Sequence, residues 1–391
     1  MANYTKIVSV LKKICTSSNR DITKLVTKTK PNAELLINTE STVSKSAIMQ
    51  NSRISKICDT VNISPKRMTL KAKLREGKLV STTNEIKIPK VKLKAPRPGF
   101  DESLESYVNI IKNNKFELRN ICSKYEQGLL NEEQFANEYA KFLANKMDMP
   151  YYPELKQIIS NKVNGGMQNT TNTLYYNLSG MNRMSDLMST INHEMHHFLQ
   201  QKEIFSTISI EKFSKLKAKS DIMAILKENP NYCKSQAEIF QKIENQAKGY
   251  IQEYRSAGWD KIIEKYPQNT NPNSPYYKRA EKLLNSELNY VDGETNIYEY
   301  MSNLLEKEAY EIGAHTQIEI EYSVLNTISK KEKDIAIEMY DCLNSPTFRD
   351  VPGANEVLEA FNRNPYNIIE IVKEANSMGL HDSYSILQRI L

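Results

Sequence analysis

Three of the chain's five histidines fall within five consecutive residues, His193-Glu194-Met195-His196-His197. Random placement of this composition over 391 residues yields about 0.006 matches to the pattern H-E-x-x-H, so the cluster calls for a physical explanation. Residues four apart lie one above the other on a helix, so the imidazoles of His193 and His197 can reach one metal ion from a single face. Glu194 then falls beside the ion's water and not on the ion. The surrounding sequence supports a helix over about 182–203. Met184, Leu187, Met188, Ile191, Met195, Phe198 and Leu199 make an apolar stripe roughly 120° wide, and the paired histidines lie on the opposite side. His196 is turned some 100° from His197 and reads as exposed or as backing the pair from behind.

A catalytic zinc site takes three protein ligands and leaves the fourth position to water. No other His-rich segment exists, and the five cysteines (Cys15, Cys58, Cys122, Cys233, Cys342) are scattered without a CxxC pair, so a carboxylate is the natural third ligand. The segment LLEKEAYEIGAH, 304–315, is the best source. On a helix it sets Glu308 and Glu311 on one side with Ile312 and His315. Glu306 and Glu319 read as solvated helix-face carboxylates.

His193-Glu194-Met195-His196-His197, followed 111 residues after His197 by Glu308-Ala309-Tyr310, resembles the zincin superfamily in its gluzincin branch. The Glu-Ala pairing is similar to that of anti-repressor peptidases of the ImmA/IrrE type and of lethal-factor-like proteases. The resemblance covers about 155–205 and 296–320. It implies a zinc metallopeptidase hydrolysing peptide bonds by Glu-assisted attack of a zinc-bound water, with Zn²⁺ on His193, His197 and Glu308, Glu194 as the catalytic base, and a protein or peptide as substrate. It further implies a Tyr or His at the oxyanion, for which Tyr298, Tyr310 and His315 are at hand. The strand before the metal helix, 171–178, would pair with extended substrate. The long spacing to the third ligand implies an inserted helical subdomain.

Charge divides the chain. Residues 1–100 hold 21 Lys and Arg against 6 Asp and Glu, a net of +15, which leaves 101–391 at −9. Residues 1–66 are rich in Ser, Thr, Asn and Lys and read as largely disordered, residues 85–94 alternate around Pro89, and KAPRPGF at 94–100 reads as a linker. A solvated tether is the plain account of this arm. The competing account makes it the working end of a non-catalytic protein that binds nucleic acid or an anionic membrane, with a structural or vestigial zinc site.

Beyond the arm, helices are expected from Asp101 through Tyr125 and from Asn131 onward, and a hairpin is expected about Asn164-Gly165-Gly166. Residues 205–345 read as almost wholly helical, with breaks near Asn229-Pro230, at 267–275 and around Asp292-Gly293, and about three short helices follow Pro346. The expected fold is therefore α+β and predominantly helical: a small antiparallel sheet packed on an active-site helix, zincin-like in the core. The divisions are the arm at 1–100, a metallopeptidase domain at 101–345 with its insertion at about 205–295, and a helical tail at 346–391. No run approaches the ~20 apolar residues of a membrane span. The start lacks a Sec-type signal, so a cytoplasmic protein is expected, or one exported as an effector by a route that leaves no such signal.

Overall fold

A computed structural model describes residues 96–390 apart from 150–151, 160–163, 179–182, 267, 294, 346–347 and 349–353. The arm up to residue 95 and the readings that fall on it, Cys15 and Cys58 included, lie outside the described residues. Within them the chain is predominantly helical and carries one small three-stranded sheet, so the α+β class holds. No helix among the described residues is long and apolar enough to cross a membrane.

The body opens with α1 (Phe100–Asn113) and α2 (Lys115–Glu126). The single helix expected here is broken at Asn114, whose side-chain amide turns back to donate to the Ile110 carbonyl at 2.8 Å. Gly99, at φ 85°, enters α1 in place of Asp101, whose carboxylate accepts instead from the Arg97 backbone N–H at 2.7 Å. The described part of the expected linker, 96–100, thus belongs to the body: Phe100 is fully buried. The start of α3 (Glu132–Lys146) is as expected. Asn131 Oδ1 accepts from the Gln134 N–H at 2.8 Å while Gln134 accepts from the Asn131 N–H at 2.9 Å, closing a capping box.

The strands β1 (Glu154–Ile158), β2 (Gly165–Gln168) and β3 (Thr173–Asn177) lie in the order β1-β3-β2. Glu154 faces Thr173 in a parallel pair, and Gly165 faces Tyr176 in an antiparallel one, so the sheet is mixed where an antiparallel one was expected. The hairpin is displaced as well. Gly165 and Gly166 sit inside β2, and the chain reverses at 169–172, with Asn172 in the left-handed region at φ 51°. Glycine at 165 serves close approach and not a turn. A Cβ there would lie 2.8 Å from Thr190 Cγ2 and 2.9 Å from Glu194 Oε1. Because β3 is central and paired on both sides, it offers no free edge; β1 and β2 are the edge strands, and β2 lies against the helix that carries His193 and His197.

The long helix α4 (Met184–Phe205) carries the H-E-x-x-H residues. Then come α5 (Ile210–Glu228), α6 (Gln236–Ser256), α7 (Trp259–Glu264), α8 (Pro275–Leu288), α9 (Ile297–Ser302) and α10 (Leu304–Glu319), with breaks where Pro, Gly and Asn predicted them. A π-helical turn at Ile320–Val324 ends α10, and α11 (Lys330–Leu343), α12 (Ala354–Arg363), α13 (Tyr366–Ser377) and α14 (Ser383–Ile390) close the chain.

The stripe on α4 feeds two cores. Leu187, Met188, Ile191 and Met195 pack with α2, α3 and the sheet, and Phe198 and Phe205 pack with the inserted helices. A third core joins the end of α10, through Ala314 and Ile318, to α11 and the tail helices. Trp259 anchors the insertion. Its ring lies 4.9 Å from that of Phe198 and 5.2 Å from that of Phe205, and its indole N–H donates to the Asn169 carbonyl at 2.7 Å. Trp259→Ala is therefore expected to lower unfolding stability by about 3–5 kcal/mol, read from urea denaturation.

Candidate metal centre

The centre is built where α10 crosses α4. Gly313 marks the crossing, because a Cβ there would lie 3.1 Å from Ser189 Oγ and 3.7 Å from His193 Cβ. Ser189 Oγ also donates to the Gly313 carbonyl at 2.9 Å. Two turns before Gly313 on the same face stands Glu306. Its carboxylate points at the imidazole pair.

The ligand atoms of His193, His197 and Glu306 all lie within 4.8 Å of one another. The two Nε2 atoms are 3.3 Å apart, Glu306 Oε2 is 3.4 Å from His193 Nε2, and Glu306 Oε1 is 3.6 Å from His197 Nε2. A tetrahedral ion with bonds of about 2.0–2.1 Å requires its ligand atoms about 3.3–3.4 Å apart. His197 Nδ1 engages Gln200 Oε1 at 2.9 Å, which turns Nε2 toward the centre. Glu306 Oε2 is buried without a hydrogen-bond partner, while Oε1 accepts from the Tyr290 hydroxyl at 2.9 Å. Two imidazole nitrogens 3.3 Å apart and an orphaned carboxylate oxygen 3.4 Å from one of them are a donor set that fits a zinc-type ion.

Charge in the centre is coupled. Burial alone would raise the Glu306 carboxyl, but the two imidazoles outweigh it and hold the group well below the usual carboxylate range. Burial would likewise lower the His197 imidazole, and Glu306 outweighs it, taking the ring up to about 9. Glu194 responds the other way. Burial raises its carboxyl above the ordinary value, and His193 and His197 offset only part of that. Its Oε1 stands 3.9 Å from His193 Nε2 and packs on the backbone of β2 at Gly165.

The sequence-predicted residues divide. His193, Glu194 and His197 come together as expected, but Glu308 does not join them. It projects from another side of α10, where its two oxygens accept from the Arg279 guanidinium of α8 at 2.5 and 2.9 Å. Burial acts against its ionisation, yet His196 and Arg279 bring the carboxyl down to about 2. His196 is fully buried with its Nε2 3.9 Å from Glu308 Oε2, and burial takes its ring down to about 4.

Glu311 and His315 face away from the imidazole pair and meet partners of their own. Glu311 accepts a two-pronged bond from Arg97 at 2.7 and 2.9 Å, and His315 Nε2 faces Asp341 Oδ1 at 3.4 Å. Of the three oxyanion candidates, Tyr310 alone touches the pair, its ring centroid 4.6 Å from that of His193; Tyr298 is 40% exposed on α9.

The expectation that Glu306 and Glu319 are solvated helix-face carboxylates is corrected: both are buried, Glu306 against the imidazoles and Glu319 against Lys333. Helix α10 is buried nearly all round, so its amphipathic pattern gives no guide to which carboxylate faces α4. The sequence nevertheless holds a signal. A glycine inside a helix is unfavourable unless it serves close packing, so Gly313 marks the face toward α4, and Glu306, seven residues earlier, shares it.

No protein-family model, curated protein or solved structure matches the chain.

Proposed function

We propose that the protein is a zinc-dependent metallopeptidase built on a zincin-like core, with His193, His197 and Glu306 holding the ion and Glu194 as general base. The observation that carries this reading is the convergence of two Nε2 atoms 3.3 Å apart with a buried carboxylate whose orphaned oxygen lies 3.4 Å from His193 Nε2, while the residue after His193 is an acid that stands beside this group and not in it. Bound there, Zn²⁺ would polarise a scissile carbonyl and bring the pKa of water toward 7. Glu194 supplies the proton traffic: burial tunes its carboxyl upward, and it accepts a proton from the attacking water and returns it to the leaving amine. Tyr290 holds Glu306 in place through its hydroxyl. The outer strand β2, whose Gly165 touches Glu194, presents main-chain groups along which an extended peptide would lie by strand addition.

The test is hydrolysis of an unfolded protein such as reduced casein by the zinc-loaded chain. Cleavage should stop on removal of the metal by a chelator and return with one equivalent of zinc. Cleavage that persists in the metal-free protein would contradict the assignment.

A further inference from the structure

Gln200 lies one turn beyond His197 and is 1% exposed. Its side-chain NH₂ donates to the Leu305 carbonyl at 3.0 Å and to Glu308 Oε2 at 3.2 Å. Neither acceptor has a proton to give, so the amide is fixed with its oxygen toward His197 Nδ1, 2.9 Å away. That oxygen can only accept. In the neutral ring that metal ligation requires, His197 therefore keeps its proton on Nδ1 and leaves the Nε2 lone pair for an ion between it, His193 and Glu306. Glu308 remains an acceptor because Arg279 binds both of its oxygens, and Arg279 is itself held by Glu203 Oε2 at 2.7 Å. Reversing the Gln200 amide would set its NH₂ against the Nδ1 proton and its oxygen against a carbonyl and a carboxylate.

We propose that Gln200, Glu308 and Arg279 form a positioning chain that fixes His197 as an Nε2 ligand, so that helix α8 of the insertion sets the metal affinity of the centre. The proposal rests on the metal-centre reading above. It gives Glu308 a role distinct from ligation: it acts on the ion only through Gln200 and His197. It also gives the inserted helices a function at the site, since α8 supplies the cation without which Glu308 would be a buried, uncompensated charge.

The experiment measures Zn²⁺ affinity by competition with a chromophoric chelator for wild type, Gln200→Leu, Glu308→Gln and the double variant. The melting temperature of each metal-free protein is recorded alongside. Gln200→Leu should weaken zinc binding 10–100-fold, the usual cost of losing a group that orients a metal-bound histidine. Glu308→Gln should weaken it by less, and the double variant should bind no more weakly than Gln200→Leu.

Independent losses that multiply in the double variant, or a Gln200→Leu protein that binds zinc as tightly as wild type, would overturn the chain while leaving the metal centre standing. A wild type that binds no zinc would instead overturn the metal reading and the proposal with it. Should the variants not fold, nitrogen NMR of the zinc-loaded wild type decides. The proposal requires the metal on Nε2 of His197 and a slowly exchanging proton on Nδ1, and the reverse assignment sinks it.

Discussion

Glu306→Gln is expected to cost the protein its zinc, whereas Glu308→Gln keeps it to within about tenfold. The two carboxylates stand two residues apart on α10 and both are buried, so burial does not separate them; their partners do. Glu306 Oε2 faces His193 Nε2 at 3.4 Å with no hydrogen bond of its own, while both oxygens of Glu308 are taken by Arg279. Replacing Glu306 by its amide removes an anionic ligand, and the loss in affinity should exceed the roughly 10–100-fold that follows from losing an outer partner. Isothermal titration with zinc reads this directly. Equal retention of zinc by the two variants would show that neither carboxylate ligates.

Glu194→Gln is expected to leave zinc bound at one equivalent and to lower kcat by about 10²–10⁴, the range that a positioned general base contributes. Substrate binding should change little, because the amide is isosteric and remains against Gly165. The loss should therefore appear in kcat at nearly constant KM. A Glu194→Gln protein with wild-type turnover would remove Glu194 from the chemistry even if the metal stayed in place. Mapping cleavage sites in a complex protein mixture, wild type against Glu194→Gln, would then separate sites that depend on this carboxylate from background.

The features legible in the sequence are those that local chemistry fixes. The apolar stripe on α4, the spacing of His193 and His197, the capping box at Asn131 and the Pro and Asn breaks between the inserted helices are each set by residues within a turn or two. The structure carries them as expected. The features that differ depend on distant packing. Gly165 and Gly166 resemble turn residues, yet they lie in a strand because Thr190 and Glu194 approach from α4. The sheet is mixed because β1 pairs directly with β3, skipping β2 in chain order, which no single run of alternation reveals.

The carboxylate that meets the imidazole pair differs from expectation for the same reason. Helix α10 is enclosed by α1, α4, α8 and α11, so an acidic residue on any of its faces can be buried, and the faces are distinguished by what they meet. Arg97 takes Glu311, Arg279 takes Glu308, Lys333 takes Glu319, and the imidazoles are left to Glu306.

The most direct measurement is an anomalous-diffraction crystal structure of the zinc-soaked protein. The account predicts one ion bonded to His193 Nε2, His197 Nε2 and a Glu306 oxygen at about 2.0–2.2 Å, with its remaining position open toward Glu194. An ion held by Glu308 or by the Glu311, His315 and Asp341 group, or no ion at the crossing of α4 and α10, would contradict it.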